Sequence, residues 1–132
     1  MQWYTPLRCR TPGAMLESTA SEGADLAKYL VKIRYSAEGI EGVMKDGGSA
    51  RRAAADDLCK NVGGSVESFY YAFGEDDAYA ICDLPDNKAA ATVAMTVSST
   101  GKIAVSTVPL LTVDEMDAIA AGNKLPYTPP GS

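Results

Sequence analysis

Four segments of the chain carry the alternation of apolar and polar positions, or the β-branched and aromatic residues, that are typical of strands. Residues 28–35 alternate at every second position, which leaves one strand face mostly apolar and the other mostly polar. Residues 65–73, 78–84 and 102–108 have the composition of strands. A short polar turn separates the second strand from the third, so these two are predicted to form an antiparallel hairpin.

Helical spacing marks the segments between these strands. From Ala50 to Val62 an apolar residue recurs at every fourth position, which predicts a helix with Ser49 as its N-cap. Another helix is predicted to begin after Asp86 or Asn87 and to end near residue 99, with its valines and several alanines facing inward. A short helical segment is also expected between the first strand and the first long helix.

The order of these elements predicts an α+β fold of the ferredoxin-like βαββαβ type. Such a fold has a four-stranded antiparallel sheet with both helices on one face. A capping-box pattern from Thr112 to Glu115 adds a short C-terminal helix. The predicted domain covers residues 27–122, between a poorly ordered N-terminal arm (1–26) and an extended, proline-rich tail (123–132).

The sheet is predicted to be apolar on both faces, although two helices can cover only one of them. Strict alternation places Phe69 and Tyr71 on one face of the second strand, and Val66 and Tyr70 on the other. We therefore expect a homodimer or higher homo-oligomer in which the uncovered faces pack together, as in a dimeric α+β barrel. The alternative is a monomer whose terminal arms fold over the sheet.

Charge and composition exclude several classes of protein. The chain has 132 residues, a formal net charge of −5 and no basic stripe, so neither nucleic acid nor an anionic membrane is an expected partner. It has no histidine, which removes the commonest catalytic base and metal ligand. The three cysteines lack metal-ligand spacing and are expected to be reduced, which favours a cytoplasmic location. No metal or cofactor is predicted.

The strongest local signal for a ligand site is Gly47-Gly48-Ser49, followed by Arg51 and Arg52. Backbone N–H groups at a helix N-terminus, together with a guanidinium, suit a phosphate or carboxylate. The alternative is that the two arginines pair with nearby acids such as Asp56, or with a partner subunit.

Acidic and tyrosine side chains supply the other candidates. Glu75, Asp76 and Asp77 are adjacent in the hairpin turn and could hold a hard cation or transfer protons. Adjacent residues point in different directions, however, and acids are ordinary in a solvated turn. Tyr35, at the end of the first strand, could donate a proton or clamp a ligand, although strand tyrosines more often lie in a core or an interface. Glu75, Asp77 and Tyr35 are retained as ligand-binding candidates.

Three stretches give the chain a resemblance to the GYD domain family. They are GGSARRAA at 47–54, GGSVESFYYAFGEDDAYAICDLPD at 63–86, and TVPLLT at 107–112. Gly74 and Asp77 match the Gly-Tyr-Asp signature of the family, whereas Asp76 stands at the position of the tyrosine. The resemblance implies a bacterial protein related to the dimeric α+β barrels, and it implies no particular reaction.

Three functions are compatible with these features. The leading hypothesis is a small oligomeric protein that binds a small, anionic molecule between the sheet and a helix N-terminus. The second is a cofactor-independent monooxygenase or isomerase acting on an aromatic or lactone substrate, with proton transfer by Asp77, Glu75 or a tyrosine. The third is a structural or interaction module without a pocket.

Overall fold

The computed structural model describes residues 26–131 and contains four strands and four helices within that range. In chain order the elements are β1 (Ala27–Tyr35), α1 (Ala37–Asp46), α2 (Gly48–Lys60), β2 (Ser65–Tyr71), β3 (Ala78–Leu84), α3 (Asn87–Ser98), β4 (Ile103–Leu110) and α4 (Val113–Ala121). The predicted N-terminal arm lies outside the described residues, apart from Leu26.

The four strands form one antiparallel sheet in the order β2-β3-β1-β4. This is the strand order of a ferredoxin-like fold, so the predicted fold class is confirmed. The central strand β1 is paired along its whole length, with Tyr29 opposite Cys82 of β3 and Pro109 of β4. Both ends of β1 are therefore held by neighbouring strands.

A β-bulge in β2 changes the faces that its side chains occupy. Val66 pairs with Cys82 and Ser68 pairs with Ile81, which leaves Glu67 as the extra residue. Val66, Phe69 and Tyr71 consequently share the face that α2 and α3 cover, and Tyr70 lies on the open face. The prediction that Val66 and Tyr70 share a face is wrong, because strict alternation does not hold across a bulge.

Several element boundaries also differ from expectation: β2 ends at Tyr71 rather than at residue 73, and two further differences involve a proline and a glycine. β4 continues through Pro109 to Leu110 instead of ending at the proline. Proline has no backbone N–H to donate. Because β4 is at the edge of the sheet, Pro109 can be accommodated there without loss of a hydrogen bond between strands. Helix α2 begins at Gly48, and its N-cap is Gly47 rather than Ser49. Gly47 has a φ of 88°, a conformation that favours glycine, and it joins α1 to α2 directly.

The core lies between the covered face of the sheet and the helices. Its buried side chains come mainly from the inward positions of β1 and β3, with Cys59 of α2 and Ala90 of α3 above them. The open face of the sheet carries ion pairs instead: Lys28 Nζ lies 2.7 Å from both Glu67 and Asp83. The two faces of the sheet therefore differ more in polarity than the sequence pattern indicated.

The C-terminal segment begins with the predicted capping box. The Thr112 hydroxyl accepts a hydrogen bond from the Glu115 N–H, and the Glu115 carboxylate accepts one from the Thr112 N–H. Helix α4 has no buried residue, and residues 123–129 have no regular secondary structure. Within residues 26–131 no helix combines the length and the apolar character needed to cross a bilayer.

Candidate functional site

An apolar cavity of about 320 Å³ lies between the helices and the covered face of the sheet. Its floor is formed by inward residues of all four strands, and its walls by one face of α2 and one face of α3. The cavity thus occupies the centre of the layer in which the sequence predicts a filled core.

Small side chains leave this space open. The cavity walls carry Ala54 and Ala55 on α2 and Ala90 and Ala94 on α3, and Ala80 of β3 lies on the floor. A methyl group reaches much less far than a leucine or phenylalanine side chain, so facing alanines cannot meet across the layer. The alanine-rich faces of both helices are visible in the sequence, and they are the signal from which the cavity could have been predicted.

Polar groups are concentrated at one end of the cavity, where β1 ends and α2 begins. Tyr35, the last residue of β1, and Arg51, in the first turn of α2, both line this end. Among the described residues that line the cavity, Arg51 alone carries a charge. Two of the predicted ligand-binding residues are therefore brought together, and they meet at an apolar chamber that the sequence did not predict.

The guanidinium of Arg51 is only weakly engaged by the protein. Its nearest described carboxylate is that of Asp46, at 3.9 Å, and the arginine side chain is one-third exposed. Among the described residues this single long contact leaves most of the five N–H donors of the guanidinium unused. The expected pairing of an arginine with Asp56 is not observed, because Asp56 accepts hydrogen bonds from the Val66 N–H at 2.9 Å and pairs with Lys60.

The Tyr35 hydroxyl is held in its protonated form. Burial raises the pKa of Tyr35 above the ordinary tyrosine value, and the nearby Tyr71 and Asp77 raise this pKa further, while Arg51 opposes them. A phenol with a raised pKa is a hydrogen-bond donor at neutral pH. The cavity end thus presents a phenolic O–H and a guanidinium, both of which suit an acceptor oxygen on a ligand.

Gly47, Gly48 and Ser49 do not all lie ahead of the helix, because α2 already begins at Gly48. The Gly47 N–H donates to the Val43 carbonyl at 2.8 Å and so closes α1. Gly48 lies against Tyr71, whose hydroxyl donates to the Gly48 carbonyl at 3.0 Å. A Cβ at Gly48 would lie 3.0 Å from the Tyr71 ring, so glycine permits this contact. Ser49 and Arg52 are exposed.

The three acids of the hairpin turn point to different places. Asp77 accepts a hydrogen bond from the Tyr35 N–H at 2.8 Å. Asp76 lies near Lys32 and Arg34 on the open face and accepts a long hydrogen bond from the Tyr79 hydroxyl. Glu75 is exposed, and no group of three metal-ligating side chains occurs within residues 26–131.

Two thiols that line the cavity were not predicted as a site from the sequence. Cys59 of α2 and Cys82 of β3 are free, are 2 % and 4 % exposed, and both line the cavity. In the sequence they are 23 positions apart, on different element types, so no local pattern pairs them. Only the packing of α2 over the sheet places both of them at the cavity.

Comparison with known proteins identifies the family. The model of the GYD domain matches residues 29–120, which is most of the chain, so the chain belongs to the GYD domain family. The matched range spans all four strands and both walls of the cavity. No curated protein and no solved structure matched the chain.

Proposed function

We propose that this member of the GYD domain family binds a small molecule that has an apolar body and one anionic group. The observation that carries this proposal is the apolar cavity with a single, weakly paired arginine at its polar end. A volume of about 320 Å³ is within the range of ligand sites, which is roughly 300–1,000 Å³. A molecule of this class would place its body among the alanine and valine side chains.

The anionic group would lie between Arg51 and Tyr35. A carboxylate or sulfonate oxygen there can accept from both the guanidinium and the phenolic O–H. The N-terminus of α2 adds a partial positive charge, although the adjoining C-terminus of α1 and Asp46 oppose it. The guanidinium is therefore the main determinant of the preference for an anion.

Two fluorescent dyes can test this proposal. 8-Anilino-1-naphthalenesulfonate has an apolar body and a sulfonate, and N-phenyl-1-naphthylamine has nearly the same body without the charge. Arg51→Ala should weaken binding of the sulfonate about tenfold, as expected for one lost charge-assisted hydrogen bond of ~1.5 kcal/mol, and should leave the neutral dye unchanged.

Arg52→Ala is the matched control, because Arg52 is exposed and does not line the cavity. It should bind both dyes as the unmodified chain does. Equal losses in the Arg51 and Arg52 variants would assign the effect to net charge, and absence of saturable binding of either dye would overturn the proposal.

A second pair of variants tests whether binding occurs inside the cavity. Ala94→Leu adds bulk to the cavity wall and should abolish binding of the neutral dye while the far-ultraviolet circular dichroism stays unchanged. Ala91→Leu makes the same change on the exposed face of α3 and should have no effect. Loss of binding in both variants would mean that the dye binds elsewhere on the helix.

An enzymatic role is the second candidate, and the position of Tyr35 favours it. A protonated phenol in the wall of an apolar chamber can serve as a general acid for an aromatic or lactone substrate. Asp77 is less suited to this role, since its carboxylate already accepts from the backbone. With a substrate in hand, Tyr35→Phe should retain binding and lose turnover. A module without a pocket is disfavoured by the cavity.

Assembly into a homo-oligomer through the open face of the sheet is also proposed. Tyr70 of β2 is 72 % exposed there, and a neighbouring apolar row crosses the face through Ile81, Leu30 and Val108. Burial of such side chains favours association. We also propose that the protein is bacterial and cytoplasmic. The two free cysteines of the described range support the location, because thiols stay reduced in the cytoplasm.

A further inference from the structure

Gly64, in the connection that follows α2, lies directly against β3. The Gly64 N–H donates to the Cys59 carbonyl at 2.9 Å. On its other side, a Cβ added to Gly64 would lie only 2.2 Å from the carbonyl oxygen of Asp83, the residue next to Cys82. Gly64 therefore contacts both the last turn of α2, at Cys59, and the part of β3 next to Cys82.

The side chains of Cys59, in the wall of the cavity, and Cys82, in its floor, both face the same space. Both are buried, both line the cavity and neither is cross-linked. Hydrogen bonding between them lowers the pKa of Cys59 and raises that of Cys82. One thiol of the pair therefore reaches the reactive thiolate form more readily, and the second is in place as its partner.

From this juxtaposition we propose that Cys59 and Cys82 form an oxidisable dithiol, which a peroxide that enters the cavity converts to a disulfide between α2 and β3. In the first step the Cys59 sulfur attacks one peroxide oxygen, which gives a sulfenic acid and one water. In the second step the Cys82 sulfur attacks the sulfenic sulfur, which forms the S–S bond and releases a second water. The two sulfurs lose two electrons in total, and hydrogen peroxide gains them.

The apolar cavity makes this pair different from ordinary buried cysteines. A close-packed core excludes oxidants, whereas a chamber of about 320 Å³ that ends at the partly exposed Arg51 admits a molecule as small as hydrogen peroxide. The disulfide would tie the cavity wall to its floor. This modification site is independent of the ligand proposed above, since Cys59 lies near the C-terminal end of α2 and Cys82 pairs with Tyr29 near the start of β1, away from Arg51 and Tyr35.

Peptide mass mapping of the full chain tests the proposal. Cys9→Ser serves as the background, because it removes the one other thiol. After treatment of the folded protein with hydrogen peroxide and alkylation in denaturant, the intact mass should be about 2 Da lower than that of the untreated, unalkylated chain, with no alkyl group added. Trypsin should then release residues 53–60 and 61–88 as one cross-linked species, which a dithiol reductant separates.

Variants and competing products make the outcome decisive. Cys59→Ala and Cys82→Ala, each in the Cys9→Ser background, should lose the cross-linked species, and circular dichroism reports whether they remain folded. The Cys9→Ser chain is itself sufficient for the test, whatever the variants do. Alkylation of both cysteines after peroxide treatment, or a gain of about 32 Da from a sulfinic acid at one of them, would overturn the proposal.

Discussion

The Asp77 carboxylate accepts a hydrogen bond from the backbone N–H of Tyr35 at 2.8 Å, and this contact fixes the end of β1 beside the cavity. The backbone of Asp77 extends the same connection, because its N–H donates to the Ile33 carbonyl and its carbonyl accepts from the Ala72 N–H. Asp77, one of the predicted ligand-binding residues, thus positions the tyrosine that lines the polar end of the cavity.

Replacing Asp77 should therefore affect both stability and binding. Asp77→Ala leaves the partly buried Tyr35 N–H without its acceptor, and we expect a loss of about 1–3 kcal/mol in the free energy of unfolding. Binding of the sulfonate dye should weaken as well, because Tyr35 is no longer held. Urea denaturation and dye titration measure the two effects.

Asp77→Asn and Glu75→Ala are the controls for this contact. The asparagine keeps an acceptor oxygen and should retain most of the stability. Glu75 is exposed, and its side chain should be dispensable for both measurements. An unchanged unfolding midpoint in Asp77→Ala would show that the hydrogen bond contributes nothing measurable.

Two glycines of α1 should respond in opposite directions to alanine. A Cβ at Gly39 would lie 2.3 Å from the Lys102 carbonyl oxygen, whereas a Cβ at Gly42 would have no atom within 4 Å. Gly39→Ala should destabilise the fold, because either α1 or the start of β4 must move. Gly42→Ala should stabilise it by about 0.5–1 kcal/mol through helix propensity. Thermal and urea unfolding would contradict this prediction if both changes had the same sign.

Asp56 should make stability depend on pH in the acid range. The hydrogen bond from the Val66 N–H, followed by that from Lys60, lowers the pKa of Asp56 below its ordinary value of 3.8. A lowered pKa in the folded state means that the contribution to stability is present above that ordinary value and is lost as the pH falls through the folded-state value. The difference in unfolding free energy between the unmodified chain and Asp56→Ala should therefore be largest near neutral pH and shrink in strong acid.

The neighbouring Asp57 provides the comparison for this pH series. It is exposed on the same helix turn, so Asp57→Ala should give no comparable difference at any pH. Urea midpoints recorded at neutral pH and at about pH 3, where a carboxyl group with the ordinary pKa is mostly protonated in the unfolded chain, separate the two variants. A constant gap for Asp56→Ala over that range would show that packing, rather than charge, explains its effect.

Assembly can be tested on a side chain that the isolated fold does not need. Tyr70→Glu places a charge on the open face without disturbing the core, since Tyr70 is already exposed in the single chain. We expect it to shift an oligomer toward monomer, because burying the new charge costs several kcal/mol. Light scattering measures the mass, with the exposed helix variant Lys88→Ala as the control. A mass near 13.9 kDa for the unmodified chain at micromolar concentration would contradict the proposed assembly.

The order and type of the elements could be predicted from the sequence, because periodicity, caps and turn residues act over a few positions. The capping box at Thr112, the i,i+4 pair of Asp56 with Lys60, and the inward face of β1 are all local in this sense. The alternation in β1 that turns Ile33 inward and Arg34 outward is also local. These features led to the ferredoxin-like fold without knowledge of any distant contact.

The features that only the tertiary structure decided depend on residues far apart in the chain. The bulge at Glu67 arises from pairing with β3, and it reversed the expected face of Val66. The cavity exists because small side chains from α2, α3 and β3 face one another across the layer, which no single segment reveals. The placement of both Cys59 and Cys82 at the cavity likewise depends on the packing of α2 over the sheet. Local patterns in the sequence indicate which face of an element turns inward. The space left between the inward faces depends on how the elements pack, so only the tertiary structure determines it.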